Sequence, residues 1–337
     1  MAVLEIAVDI GTSNTSIFVS GNGVVLREPT AIAFSGGPQR GKIRAVGKAA
    51  YEMLGKAPEK TTVVSPVTDG VISDPEACGQ MLREFVKKIL PDSFVFFPRI
   101  RAILGVPTGL TVEERRMYEG VVRSAFVREV TMVENIILSG VGADIPFNTA
   151  TGGLVVNIGG GITEIAALAL SGVISACGVT IGGNLMDKAL IDRIAGRYNL
   201  KIGLLGARKI KTEIGTLFEN DISYADAHGI DLSTKTLSSA RVKASDVTAV
   251  LRPYYMRVRD AVESVVNMLP PEIAADVYKS GVCVAGGAAA ITGLSEFLSA
   301  ELSLNAHIPD DPEYAAISGA GKLLSNPDLL DEIMSQK

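Results

Sequence analysis

The chain has 337 residues, long enough for two domains of ordinary size, each with its own core. A hydrophobic content of 47% with 20% charged residues argues against disorder, and a formal net charge of −5 without any long basic run argues against general affinity for nucleic acid. Three scattered cysteines and only two histidines leave no disulfide framework, zinc cluster or histidine-based active site, so a reducing cytoplasm is expected.

Met1 to Phe18 reads as strand, turn, strand; its apolar start has no basic region ahead of it and is not a signal peptide. GNG at 21–23 suits a tight turn, since glycine tolerates positive φ. Residues 28–74 are less regular and resemble a small inserted lobe. Pro75 to Leu90 has helical spacing of Met81, Leu82, Phe85, Val86 and Ile89, with proline at its start. RAILGVP (101–107) is a buried strand, and 111–126 a helix opened by Thr111 and Glu114 in capping-box relation. EVTMVEN is another strand, followed by a helix over 136–143.

After the linker ADIPFNTATGG the opening pattern returns. An offset of 148 superposes Asp9 on Asn157, Ile10 on Ile158, Gly11 on Gly159, Thr15 on Thr163 and Ile17 on Ile165. Two related hairpins with glycine turns in the same place imply two related halves facing each other across a cleft. Helices are expected over 183–199 and 206–217, strands of a second lobe between 219 and 243, and a long helix over 244–267. GVCVAGGAAAITGLSEFLSAEL reads as strand, glycine turn, helix. Three glycine turns after apolar strands, at 9–15, 157–163 and 285–290, offer backbone N–H groups as anion sites that need no side-chain charge. Neither a Walker P-loop nor a dinucleotide fingerprint is present, which disfavours a Rossmann enzyme.

DIGTSNT (9–15), NIGGGITEIA (157–166), RKIKTEIG (208–215) and VAGGAAAI (284–291) resemble the phosphate-1, phosphate-2, adenosine-side and adenosine motifs of actin-like ATPases. The closer resemblance is to the MreB family of bacterial actins: VLREPTAIA, VGKAAYEMLGKAP, PVTDGVISD, GVP and IGGNLMDKALI occur in the family's order, over essentially the whole chain. The resemblance implies an α/β actin-like fold of two duplicated ribonuclease-H-like domains around an ATP/ADP–Mg²⁺ cleft. Domain I would comprise residues 1–143 plus 315–337, with subdomain IB at about 31–74 inserted in IA. Domain II would comprise 144–314, with IIB at about 182–245 inserted in IIA. Asp9, Gly11, Thr12, Ser13, Asn14 and Thr15 would face the phosphates, as would Gly159, Gly160 and Gly161, with Asp9 holding Mg²⁺ through water. Lys211 and Glu213 would lie near the ribose and base, unless they form an exposed helix face, and Gly286 and Gly287 would lie beneath the adenosine.

The chain departs from the family pattern at one assembly. Asn135 stands where the family has a glutamate that polarises the attacking water, Asn157 where it has the aspartate that holds magnesium, and Ile162 where it has a threonine that positions the water. Phosphoryl transfer depends on positioning and electrostatics, so binding without efficient hydrolysis is expected. A shift of one residue would instead leave Glu134 as the polarising group.

KKILPDSFVFFPRIR carries the apolar run Phe94, Val95, Phe96, Phe97 between two prolines, flanked by Lys87, Lys88, Arg99 and Arg101. Such a tip suits insertion into an anionic leaflet, as the corresponding family loop does, although the same aromatics could start the next strand and be buried. The expectation is a divergent MreB-type filament subunit that binds nucleotide, forms a homopolymer of paired protofilaments, and works in cell shape or intracellular positioning. It would lie in the cytoplasm at the inner face of the cell membrane, beside cell-shape membrane proteins. The alternatives are an active ATPase using Glu134, and a monomeric chaperone-like or kinase-like member of the same fold.

Overall fold

The computed structural model describes residues 3–36, 40–90, 99–146 and 148–336. The first half opens with the antiparallel strands β1 (Val3–Ile10), β2 (Asn14–Val19) and β3 (Gly23–Pro29). β4 (Ile32–Ser35), β5 (Ile43–Val46), α1 (Lys48–Tyr51) and β6 (Thr61–Val64) form the inserted lobe, around a small cluster of Ala31, Ala33 and Ala50. A short hairpin, β7 (Val67–Thr68) and β8 (Val71–Ile72), leads into α2 (Pro75–Ile89). The half ends with β9 (Arg99–Val106), α3 (Val112–Ser124), β10 (Val127–Glu134) and α4 (Asn135–Gly142).

The second half repeats the plan with β11 (Gly153–Ile158), β12 (Thr163–Ala169) and β13 (Gly172–Val179). Its lobe contains α5 (Gly183–Tyr198), β14 (Leu200–Lys201), α6 (Leu204–Ile214), β15 (Tyr224–Asp231) and β16 (Leu237–Lys243). α7 (Ala244–Val266), α8 (Pro271–Ser280), β17 (Val282–Ala285), α9 (Leu294–Leu302) and β18 (Ala306–His307) complete it. α10 (Ala315–Leu324) and α11 (Pro327–Ser335) follow.

The two five-stranded sheets have one topology. The first runs β10-β9-β1-β2-β3 and the second, read from the equivalent edge, β18-β17-β11-β12-β13. In each, a three-stranded antiparallel meander is extended on one side by two parallel strands. The register carries the 148-residue offset residue by residue: Asp9 opposes Ser16 and Ile10 opposes Thr15, while Asn157 opposes Glu164 and Ile158 opposes Thr163.

Each sheet buries both faces, which is why β12 is buried along its whole length rather than alternating. α2 and α3 cover the outer face of the first sheet through Met81, Phe85 and Tyr118, and α7 covers the second through Leu251, Tyr255 and Val258. Between the sheets lie α4 and α10, whose Ile136, Leu138, Ile317 and Ala320 share a third cluster with Ala7, Val155 and Leu168. α4 is apolar on nearly every side because it has protein on nearly every side.

Most boundaries agree with the periodicity. Asp74 caps α2 through the Ala77 amide, with Pro75 at the first helical position, and Thr111 and Glu114 form the expected capping box of α3. α6 ends at Ile214 rather than at residue 217, because the chain turns extended at Gly215 and Thr216 pairs with Thr292. The run 94–97 lies outside the described residues.

Candidate functional site

The turns of the two related hairpins meet at the mouth of the cleft. Gly11 donates its amide to Asn14 O at 3.0 Å, and 148 residues on Gly159 donates to Ile162 O at 2.9 Å. The turns touch: a Cβ on Gly160 would lie 2.0 Å from Ser13 Oγ, so only bare backbone fits there. Between them is a cavity of about 290 Å³, near the lower end of small-molecule sites at roughly 300–1,000 Å³.

Asp9, Gly11, Thr12, Ser13 and Asn14 line this cavity, as do Gly159, Gly160 and Gly161, Lys211, and Gly286 with Gly287. Asn135, Asn157 and Ile162 line it too. Thr15 does not. It is fully buried on the opposite face of β2, with its hydroxyl 3.0 Å from that of Thr30, and Ser16 faces the cavity instead because it stands opposite Asp9. Glu213 is exposed and outside the lining, one residue beyond Thr212, which is part of it.

Asp9 is the acidic group of the first turn. Burial pushes its carboxyl up to about 6, against the Arg27 guanidinium and a hydrogen bond from Asn135, and its Oδ1 has no protein partner. Arg27, from β3, is held by Glu313 at 2.9 Å and lies 4.9 Å from the Tyr314 ring, which ties β3 to the segment before α10. Lys211 is committed elsewhere: its ammonium contacts Asp187 at 2.6 Å and donates to Gly183 O at 2.7 Å, while burial lowers its pKa. Arg208 spans the cleft, bonding Asp187 at 2.9 Å and Asn184 at 2.5 Å on its own side and Tyr51 Oη at 2.6 Å on the other. Ser13 reaches the same Asn184 oxygen at 3.1 Å.

The residues expected to govern hydrolysis are brought together. Asn135 offers an amide to Asp9 and leaves its own Oδ1 buried without a partner. Asn157 donates to Glu164 at 3.4 Å. Ile162 packs against Gly70 in the β7–β8 turn, where an added Cβ would lie 2.7 Å from its Cδ1, and Tyr118 fixes that turn through Gly70 O at 2.8 Å. Glu134, by contrast, is held by Arg115 at 2.9 Å and is not among the cavity's lining residues.

Sequence reading assigned no role to Glu164, Arg27, Arg208 or Asn184. Of these, the duplication makes Glu164 the counterpart of Ser16, and the strand pairing, not the offset, sets both in the row facing the cleft.

A family model described as MreB/Mbl protein matches residues 3–332. The chain belongs to the MreB/Mbl family. It is 33% identical over 330 residues to the cell shape-determining protein MreB of Escherichia coli, covering 96% of this chain and 94% of that protein. It is 30% identical over 334 residues to the cell shape-determining protein Mbl of Bacillus subtilis, covering 98% of each. Among solved structures it is similar to MreB5 of Spiroplasma citri bound to ADP, with a TM-score of 0.91 and 27% identity over 98% of this chain and 99% of that one. The double helical filament of MamK shares the fold at a TM-score of 0.82 and 22% identity, covering 96% of this chain and 99% of that one. The fold is therefore actin-like.

The family resemblance implies Mg²⁺ beside the nucleotide, and the residues present fit that ion. The unpartnered Asp9 Oδ1 is a hard anionic oxygen at the cavity wall, and Mg²⁺ is usually held by one or two carboxylates, waters and substrate phosphates. No group of three acidic, histidine or cysteine residues among the described residues could hold a metal by itself, so the ion would arrive with the phosphates.

Proposed function

We propose that this chain is a nucleotide-binding, filament-forming bacterial actin of cell shape or intracellular positioning, with slow ATP hydrolysis. The observation that carries the reading is the composition of the cleft: glycine turns and Asp9 are retained, while Asn135, Asn157 and Ile162 stand together on its wall. Backbone N–H groups and Thr12 and Ser13 hydroxyls would cradle the phosphates, and Asp9 would hold Mg²⁺ through water. The ion would supply charge neutralisation at the phosphates. Hydrolysis also needs a positioned water. Asn135 already donates to Asp9, Asn157 donates to Glu164, and Ile162 presents a methyl group to the turn at Gly70. An asparagine where the family has the water-polarising glutamate costs roughly 10²–10⁴ in rate. The pairing of Glu134 with Arg115 favours this reading over an ATPase that uses Glu134.

Self-association is supported by the filament of the MamK neighbour, and nucleotide binding by the S. citri MreB5 structures with ADP and AMPPNP. A head-to-tail contact that does not close propagates into a filament. Membrane association at the inner face of the cell membrane is supported by the sequence of 94–97 alone.

The test is equilibrium binding of a fluorescent ATP together with phosphate release and sedimentation. Tight binding, polymer that persists in ATP and very slow release are expected. The combined change Asn135→Glu, Asn157→Asp, Ile162→Thr is expected to release phosphate at least tenfold faster. Brisk release by the unaltered protein, or equal rates for both with nucleotide bound, would refute the reading.

A further inference from the structure

Glu164 is a buried carboxylate, 3% exposed, with no ion pair among the described residues. Its two contacts are neutral donors from opposite sides of the cleft. Oε1 accepts the Thr108 amide, from the loop after β9, at 2.7 Å, and Oε2 accepts Asn157 Nδ2, from the neighbouring strand β11, at 3.4 Å. Strand alternation sets its direction. Thr163 turns into the core, where its hydroxyl donates to Ile181 O at 2.7 Å, so Ile162 and Glu164 on either side of it both face the cavity. Pro107 and Asp9 complete the wall around it.

An ionisable group buried without a counter-charge costs stability, and one that lines a ligand cleft is a candidate for chemistry. The other carboxylate of the floor, Asp9, already has Arg27 and Asn135 beside it. Glu164 has an acceptor oxygen engaged only by a 3.4 Å contact, which is long for a hydrogen bond and easily exchanged for water.

We propose that Glu164 orients the attacking water and accepts its proton in the slow hydrolysis of ATP. The inference rests on the proposed reading that ATP occupies this cleft, its terminal phosphate between turns 11–14 and 159–161. The water oxygen forms a bond to the γ-phosphorus as the bond to the β–γ bridging oxygen breaks, whose electron pair leaves on ADP. The water proton goes to Glu164 and then to the released phosphate. Hydrolysis is slow because Ile162, two residues before Glu164 on the same face, fills the approach with an apolar side chain packed on Gly70. The base is present and the water is scarce.

The experiment compares unaltered protein with Glu164→Gln and Glu164→Asp in single-turnover phosphate release, with fluorescent-ATP affinity measured on each. Glu164→Gln is expected to keep its affinity within about threefold and to lose roughly 10²-fold or more in rate. Glu164→Asp, which keeps the charge but withdraws it by one methylene, is expected to fall between the two. Failure of every protein to bind ATP would defeat the reading of the cleft. Binding by all three with equal rates, or binding by unaltered protein with no turnover at all, would overturn the role of Glu164 alone. If Glu164→Gln does not fold, Glu164→Asp decides: a rate within twofold of the unaltered protein overturns the proposal.

Discussion

Asn157 and Glu164 form a donor–acceptor pair across two neighbouring strands, and this pairing changes the meaning of the aspartate-to-asparagine departure. An aspartate at 157 would set a second carboxylate beside Glu164 whenever no metal is present, and the amide avoids that repulsion. Even so, burial pushes Glu164 up to about 7, with the Asp9 charge raising it further, and burial pushes Asp9 up to about 6. Their pKa values in the folded chain therefore exceed the unfolded values of 4.5 and 3.8. Between those limits the native state binds more protons than the unfolded one, so this contribution stabilises at low pH and is lost as pH rises. The nucleotide-free protein is expected to lower its Tm as pH rises from about 5 to about 7.5, against the common trend for paired carboxylates. Glu164→Gln should flatten the upper part of that slope. Scanning calorimetry across this range checks it, and a Tm that climbs with pH would show both groups ionised at ordinary values.

At the scale of elements, α1 and α6 come from different lobes, and Arg208 of α6 reaches Tyr51 of α1 over the cleft. Arg208 Nη1 donates to Tyr51 Oη at 2.6 Å and its guanidinium lies 5.5 Å from the ring, while Asp187 and Asn184 hold the arginine from behind. Tyr51→Phe removes the hydrogen bond and leaves the stacking. A net hydrogen bond of about 0.5–1.5 kcal/mol corresponds to nucleotide release roughly 2–10-fold faster, measurable by stopped-flow chase of a fluorescent ADP; unchanged release would show that the lobes are held by other contacts.

That contact was beyond sequence reading, since it joins residues 157 apart with no shared period. What was legible was local or repeated: the capping box at Thr111, the proline start of α2, and the duplicated hairpins, whose register repeats pair by pair. Thr15, buried and outside the cavity lining, shows what the turn pattern alone leaves open. Superposing the glycine turns cannot say which face of β2 points inward; the pairing of Asp9 with Ser16 decides it. Glu164 is the harder case. A glutamate in a strand reads as a solvent-facing residue until the Thr108 loop and β11 are seen to cover it.

For the whole molecule, the proposed attachment to a membrane turns on the run 94–97, between the end of α2 and the start of β9, with basic residues on both flanks. Those cations are engaged within the chain: Lys88 with Glu28 at 2.6 Å, Lys87 with Glu84 at 2.6 Å, and both Arg99 and Arg101 with Glu129. Exposed pairs of this kind are weak and exchange readily, but they reduce the free charge that an anionic leaflet could attract. No helix among the described residues is long and apolar enough to cross a bilayer; the proposed source of affinity is the aromatic run itself. Burying Phe94 and Phe97 contributes roughly 1.5–3 kcal/mol each, too little to hold a monomer firmly. In the proposed filament the run recurs once per subunit, which would multiply the affinity without any new contact. Two outcomes are expected in liposome co-sedimentation. Binding should rise steeply at the protein concentration where polymer forms, and it should fall only modestly between low and physiological salt, because insertion rather than charge supplies the energy. Phe94→Ser with Phe97→Ser should abolish pelleting with vesicles while the Tm and ATP affinity stay unchanged. A double variant that unfolds would place the aromatics in the core, and binding that vanishes with salt while surviving the double change would assign the contact to the flanking cations instead.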